Sequence, residues 1–216
     1  MKVGSFFALL FLTLPFAQAS ESNVLVIKPE NSVIEGSSEH MRVDKKLMIT
    51  GEAGLGIGAI PTSGVTAGYF LDRNNILQAN YINGKLEWLW MNLRVESASL
   101  QLKHFFGNSF YVRGGVGYRT IEAQSRDFLF FSDDTSASST VATADIAIGN
   151  QWQWSNFTLG CDWIGAMIPV ASLNSRYEDR NGYASDSDRE KRRGDWESID
   201  RVTSGQVLRF YIGASF

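Results

Sequence analysis

The sequence predicts an all-β protein, a closed antiparallel transmembrane β-barrel of eight strands with a short N-terminal periplasmic arm. Three observations carry the prediction. The chain opens with the layout of a bacterial export signal, segment after segment alternates apolar with small or polar residues, and the last strand runs out on an aromatic residue, Phe216.

The N-terminus comes first. Lys2 supplies a positive charge, Phe6 to Phe16 forms a short apolar core, and Ala17-Gln18-Ala19 offers the small residues read at cleavage. Residues 1–19 are therefore expected to be a signal peptide removed before Ser20. The apolar run is too short to span a bilayer as a helix, which takes about 20 residues, and no apolar stretch of that length follows. Residues 20–46 contain Pro29, Gly36 and several Glu and Ser, do not alternate, and read as a periplasmic arm. The barrel is assigned to residues 47–216. Cys161 is the only cysteine, so no intrachain disulfide can form, and its bland role is that of a small apolar residue. The net charge of −3 and the lack of a basic patch argue against a nucleic-acid partner.

A barrel strand shows one face to lipid and the other to the lumen, so its side chains alternate with period two over about 10 residues. Leu47 to Ala59 does so: Leu47, Ile49, Ala53, Leu55 and Ile57 share one face, while Met48, Thr50, Glu52 and Gly54 share the other. Val65 to Leu71, Phe110 to Arg119, Ala142 to Trp152, Phe157 to Trp163 and Leu208 to Phe216 repeat the pattern. Two further strands fit between Ile76 and Phe106, with Leu77, Ala79 and Tyr81, then Ala98, Leu100 and Leu102, facing out. The competing count is ten strands, using Val24 to Ile27 or a hairpin at Asn83-Gly84, a strong turn signal.

The connections sort by length. Asp72 to Asn75, Gly107-Asn108 and Ser155-Asn156 read as tight turns, and Ile60 to Gly64 as a further short connection. The regions Asn83 to Arg94, Glu122 to Ser139 and Ile168 to Asp200 read as long loops, the first as loop or strand extension with Trp88 and Trp90. Counting back from a periplasmic Phe216 puts the three polar turns in the periplasm and the long loops outside, the outer-membrane arrangement. Tyr69, Phe105, Phe106, Trp152, Trp154, Phe157 and Phe216 cluster beside those turns, as an interfacial girdle should.

With the strands placed, the chain resembles the small outer-membrane β-barrel superfamily that includes OmpA-like and opacity-type barrels. The resemblance rests on the export signal, on SFYVRGGVGYR from Ser109 to Arg119, and on the closing VLRFYIGASF from Val207 to Phe216. It implies a barrel in the bacterial outer membrane. It also implies that the terminal strand, through Phe210, Ile212 and Phe216, is read by the outer-membrane assembly machinery. It does not imply one function, because members differ chiefly in their loops and fold alone never fixes function.

Candidate chemistry lies first in the lumen. Glu52, Lys103, Arg113, Arg119, Asp145, Asp162 and Arg209 all face inward, and an eight-stranded barrel is just wide enough for side chains to fill it. They are expected to form a paired polar plug, with Arg113 and Arg119 against carboxylates, since an unpaired buried charge is costly. The sharper alternative is a narrow channel for ions or small solutes. A lipid-modifying enzyme would need a nucleophile and base, and the chain has only His104 in the barrel, facing lipid near the periplasmic edge, with Ser109 across a turn. Catalysis is not expected, and nothing calls for a metal or other cofactor. The last loop concentrates charge of both signs, with Arg189, Lys191, Arg192 and Arg193 close together. It is a solvated surface or a contact for lipopolysaccharide. A second loop holds Phe128, Leu129, Phe130 and Phe131 beside Asp133 and Asp134, which read as a partner site or as strand extension. The leading expectation is a structural or surface-interaction protein whose partners are outer-membrane lipids and lipopolysaccharide.

Overall fold

The computed structural model describes residues 37–56, 60–88, 91–125, 135–179, 187, 190, 191, 194 and 202–216. The signal segment, most of the arm including Val24 to Ile27, and Phe128 to Phe131 lie outside the described residues. So do Trp90, Arg189, Arg192 and Arg193.

A short helix, α1 (Ser38–Val43), precedes eight strands: β1 (Leu47–Leu55), β2 (Pro61–Phe70), β3 (Asn75–Trp88), β4 (Met91–Phe105), β5 (Phe110–Ser125), β6 (Thr135–Trp154), β7 (Phe157–Asp179) and β8 (Ser204–Ser215). The strands pair in sequence order, all antiparallel, and β8 pairs with β1 to close the barrel. Beside that seam, Phe216 donates its N–H to the Leu47 carbonyl (2.9 Å), and its own carbonyl accepts from Leu47 N (2.8 Å) and Lys46 N (2.9 Å). Closure satisfies edge groups that would otherwise face hydrocarbon, at several kcal/mol each.

The inside–outside assignments hold in every strand. Ile49, Val65, Leu100, Val116, Ile146 and Ile212 are all more than half exposed on the outer wall. Met48, Thr50, Glu52, Thr66, Gln101, Arg113, Arg119 and Arg209 are buried inside it. Cys161 keeps its outward register yet is only 2% exposed. The Trp163 indole donates to Asn150, the cross-strand partner of Cys161. Trp163 itself is a β-bulge, and beyond it Ile164 and Ile168 carry the outward face.

The strand count is eight. Asn83-Gly84 forms no hairpin: Asn83 pairs with Ser63 on one side and Glu96 on the other, so the dipeptide is mid-strand. The first connection also moves. Leu55 already pairs with Pro61, so β1 stops short of Ala59 and Pro61 to Gly64 belong to β2. Phe105 leaves the girdle, because it faces inward and is 1% exposed. Tyr69, Phe106, Trp154, Phe157 and Phe216 remain exposed beside the short turns.

The largest departure is in the long connections. β3 and β4 pair up to Trp88↔Met91, β5 runs to Ser125, and β6 and β7 stay paired up to Thr135↔Asp179. β6 has 20 residues and β7 has 23, against the 9–11 or so that cross a bilayer. Much of what sequence assigned to loops is a wall of paired strands standing above the membrane, an apron on β3 to β7. β1 and β2, with 9 and 10 residues, have no such extension.

One register row marks where the wall leaves the lipid. Tyr81, Ala98, Tyr118, Ala142 and Ala171 form a continuous outward row across β3 to β7, the last apolar one. The next outward row is Asn83, Glu96, Thr120, Thr140 and Asn174. At the same level the inner face turns apolar. Ile60, Val95, Ile121 and Ala137 are buried together inside the apron, with Leu86, Leu93, Ala123 and Tyr177 against them. That apolar inner face keeps the hairpin arms paired past the membrane, where the sequence alone suggested loops.

Candidate functional site

The lumen is filled in layers. At the periplasmic end Met48, Phe70, Ile76, Phe105, Tyr111 and Tyr211 pack together. Two glycines make room for the tyrosines. A Cβ on Gly160 would fall 2.1 Å from Tyr211 Cζ, and one on Gly149 would fall 2.6 Å from the Tyr111 hydroxyl.

Above this layer Asp162, on β7, organises the charges. It accepts from Arg113 Nη2 (2.7 Å), Arg209 Nη2 (2.7 Å), Arg209 Nε (2.8 Å), Gln206 (3.3 Å) and the Tyr111 hydroxyl. Glu52 lies 3.5 Å from Arg209 Nε and accepts from Asn80. Lys103 donates to Gln151 (3.0 Å) and Tyr211 (3.2 Å), with its ammonium 4.3 Å and 4.6 Å from the Tyr111 and Tyr211 ring centroids. Five of the seven sequence-assigned charges thus converge. Arg119 lies six residues further up β5, donating to the Val202 carbonyl and the Ser204 hydroxyl. Asp145 is apart as well. One of its oxygens takes a long 3.4 Å bond from Gln101, and the other has no hydrogen-bond partner. Two small cavities lie in this layer, of about 10 Å³ each, room for about one water apiece.

The periplasmic mouth carries a feature that sequence reading missed. Helix α1 sits across it, and Arg42, 1% exposed, donates to the carbonyls of Arg73 (2.8 Å), Asn108 (2.7 Å) and Gly107 (3.0 Å). Its guanidinium lies 3.9 Å from the ring centroid of Phe105, which shares the inward parity of Gln101 and Lys103 on β4. Ser38 accepts from Gln153 N (3.0 Å), and Lys45 donates to Asn156 (2.5 Å). The helix, with Lys45 just beyond it, therefore ties down all three periplasmic turns. Burial lowers the Arg42 pKa to about 10, still charged at neutral pH, with Glu39 opposing the shift. The available sequence signal was Ser37 to Glu39, an N-cap hydroxyl followed by acid in the first turn.

A catalytic pair is not assembled. His104 Nδ1 is bonded to Asn75 Oδ1 (2.8 Å), whereas Ser109 Oγ accepts from Asn150 (2.9 Å). Among the described residues no group of His, Cys, Asp and Glu is arranged to hold a metal ion. Of the candidate basic loop, Lys191 is exposed.

A barrel closed on itself, apolar outside and polar inside, is the form in which strands cross a bilayer, and single-chain barrels of this kind belong to the bacterial outer membrane. This is an outer-membrane β-barrel. A solved structure shares that fold. The chain is similar to a major outer membrane protein from Thermus thermophilus, with 12% identity, a TM-score of 0.55, and 80% of this chain and 100% of that one covered. It also aligns with the N-terminal β-barrel domain of Pseudomonas aeruginosa OprF (15% identity, TM-score 0.46, 80% and 99% covered) and with Neisserial surface protein A (13%, 0.47, 79% and 97%). No family model matches the chain, and no curated sequence does. The closed eight-stranded antiparallel barrel that the sequence implied is the fold observed.

Proposed function

We propose that the protein is a sealed outer-membrane barrel whose role is structural or surface-interacting and is carried by its extracellular parts. The observation that carries this reading is the way the described residues fill the interior in successive layers. α1 and the Met48–Tyr211 layer close one end, the Asp162 charge cluster fills the middle, and the Ile60–Ile121 layer fills the apron. A channel needs a continuous wet path, and cavities of about 10 Å³ do not provide one. Among the described residues, His104 and Ser109 are not paired as nucleophile and base. What is left to act is the apron, the connections above it, and the charged segment around Lys191, which suits phosphate-bearing lipopolysaccharide. The closing strand, with Phe210, Ile212 and Phe216 outward, serves recognition by the assembly machinery as well as closure.

Planar-bilayer recording tests the sealed state. The full mature chain should give no steady single-channel current, and a reproducible unitary conductance would restore the channel reading. Deleting residues 180–200 should leave heat-modifiable folding intact and reduce adhesion to, or binding of, lipopolysaccharide. Unchanged binding would take the interaction role away from that segment.

A further inference from the structure

The outer wall of the apron holds a concavity of about 260 Å³ that the sealed-barrel reading does not use. Two register rows build it, and it ends with them. Ser138 lies between Glu122 and Arg176, and Ser136 lies between Gln124 and Glu178. Long side chains on β5 and β7 form the rims, and the short serines of β6 leave a low floor. Arg176 and Glu178 are ion-paired along the β7 rim. Among the described residues no side chain bonds to or pairs with Glu122, Gln124, Ser136 or Ser138. A carboxylate, an amide and two hydroxyls are therefore open to a ligand.

The lining decides what that ligand can be. A phosphate or other anion would meet Glu122 and Glu178, and the one guanidinium is already engaged by Glu178. A cation would meet Arg176 and, with Glu178 neutralised, find one exposed carboxylate, a pairing that water screens to little. An uncharged ring dense in hydroxyls suits both rims. Carboxylate oxygens accept from hydroxyls, the guanidinium and the amide donate to them, and the serines do either. Hydrogen bonds with a charged partner are the stronger kind, and a neutral ligand makes them without a charge of its own to desolvate. The width fits as well. β5 and β7 stand two strand spacings apart, roughly 10 Å, the breadth of one sugar ring with a hydrogen bond on either side.

We propose that this concavity binds one uncharged hexose unit of a neutral polysaccharide at the cell surface. The volume lies just below the roughly 300 Å³ of the smallest drug-sized pockets, which suits a single ring. One ring in an open pocket is held weakly, and the repeating units of a polymer compensate by keeping the local concentration high. The proposal rests on the surface-interaction reading and deepens it by placing a sugar site on the wall of the apron. The charged segment around Lys191 is a separate surface, so the two assignments fail separately.

The test passes the full mature chain, refolded into phosphatidylcholine vesicles, over immobilised dextran, mannan and galactan. Polygalacturonate and polylysine serve as the acidic and basic counterparts. At least one neutral polymer should retain the wild type, and its free hexose should compete. Retention should be unchanged in about 1 M salt, where charges are screened beyond about 3 Å. Ser138→Ile, which raises the floor, should weaken retention about tenfold, as should Glu122→Ala combined with Gln124→Ala, which removes the β5 rim. Asn83→Ile, on the outer face of β3, and deletion of residues 180–200 should leave it unchanged. Heat-modifiable migration certifies each variant as folded. The proposal is overturned if no neutral polymer retains the wild type, or if salt abolishes retention. It is equally overturned if a charged polymer is held as well as a neutral one, if deleting residues 180–200 abolishes retention, or if the floor and rim variants match Asn83→Ile.

Discussion

Below the Tyr81–Ala171 row the barrel is apolar outside and, beyond the Met48–Tyr211 layer at its periplasmic end, polar within; above the row the strands are mostly polar outside and apolar within. No strand is broken at the boundary between the two zones. The strands run through it, with β7 bulged at Leu173 and Val170 on either side of the row, and the polarity of the two faces exchanges because the solvent outside the wall changes from hydrocarbon to water. In lipid the outer face gains nothing from being polar, and the inside must satisfy whatever polar groups it holds. In water the ordinary rule returns, and the apron buries Val95, Ile121 and Ala137 as a small soluble protein would.

If the zones differ in this way, equivalent substitutions should have different consequences in each. The largest effect belongs to the membrane zone's interior. Asp162→Ala leaves Arg113 and Arg209 buried without their shared partner and should cost about 3–5 kcal/mol, read by urea unfolding in lipid vesicles. A loss under about 1 kcal/mol would mean that water already screens the cluster. Next comes a charge placed on the same outward face of β5 in each zone. Val116→Arg should cost up to about 2–4 kcal/mol, while Gln124→Arg, in the apron, should stay within about 0.5. Equal costs would remove the boundary.

Inside the apron the sign of the preference reverses. Ile121→Ala should cost about 2 kcal/mol and speed proteolysis of the extracellular end, while protection of the strands below is unchanged. Loss of heat-modifiability in this variant would show that the apron and the membrane zone do not unfold separately. The smallest effect lies at the periplasmic rim, outside both zones. Asp72 accepts from Asn75 Nδ2 and Asn74 N at 2.7 Å each, and these bonds hold its pKa below the ordinary 3.8. A depressed carboxylate contributes stability that is present above its ordinary pKa and lost as pH falls through the folded value. The Asn74 amide resonance should therefore titrate with a midpoint below 3.8. A midpoint at or above that value would break the assignment.

The sequence by itself determined the barrel, its closing strand and which residues face inward, because period-two alternation depends only on the pleat and on the contrast between lipid and lumen. It brought Glu52, Arg113, Asp162 and Arg209 to one interior without showing that Asp162 is their centre, since alternation gives a face and not a height. Registers and bulges, set by pairing between distant strands, place those side chains at one level and Arg119 and Asp145 elsewhere. Tertiary structure also decided how far the strands run. Above the membrane the alternation changes phase relative to polarity, so Glu122 to Gln124 and Ser136 to Ser139 read as loop until the opposing strand supplies an apolar interior. It decided the fate of Arg42 in the same way. Three carbonyls from two turns, separated from it by 31 to 66 residues, meet one guanidinium only once the barrel has closed.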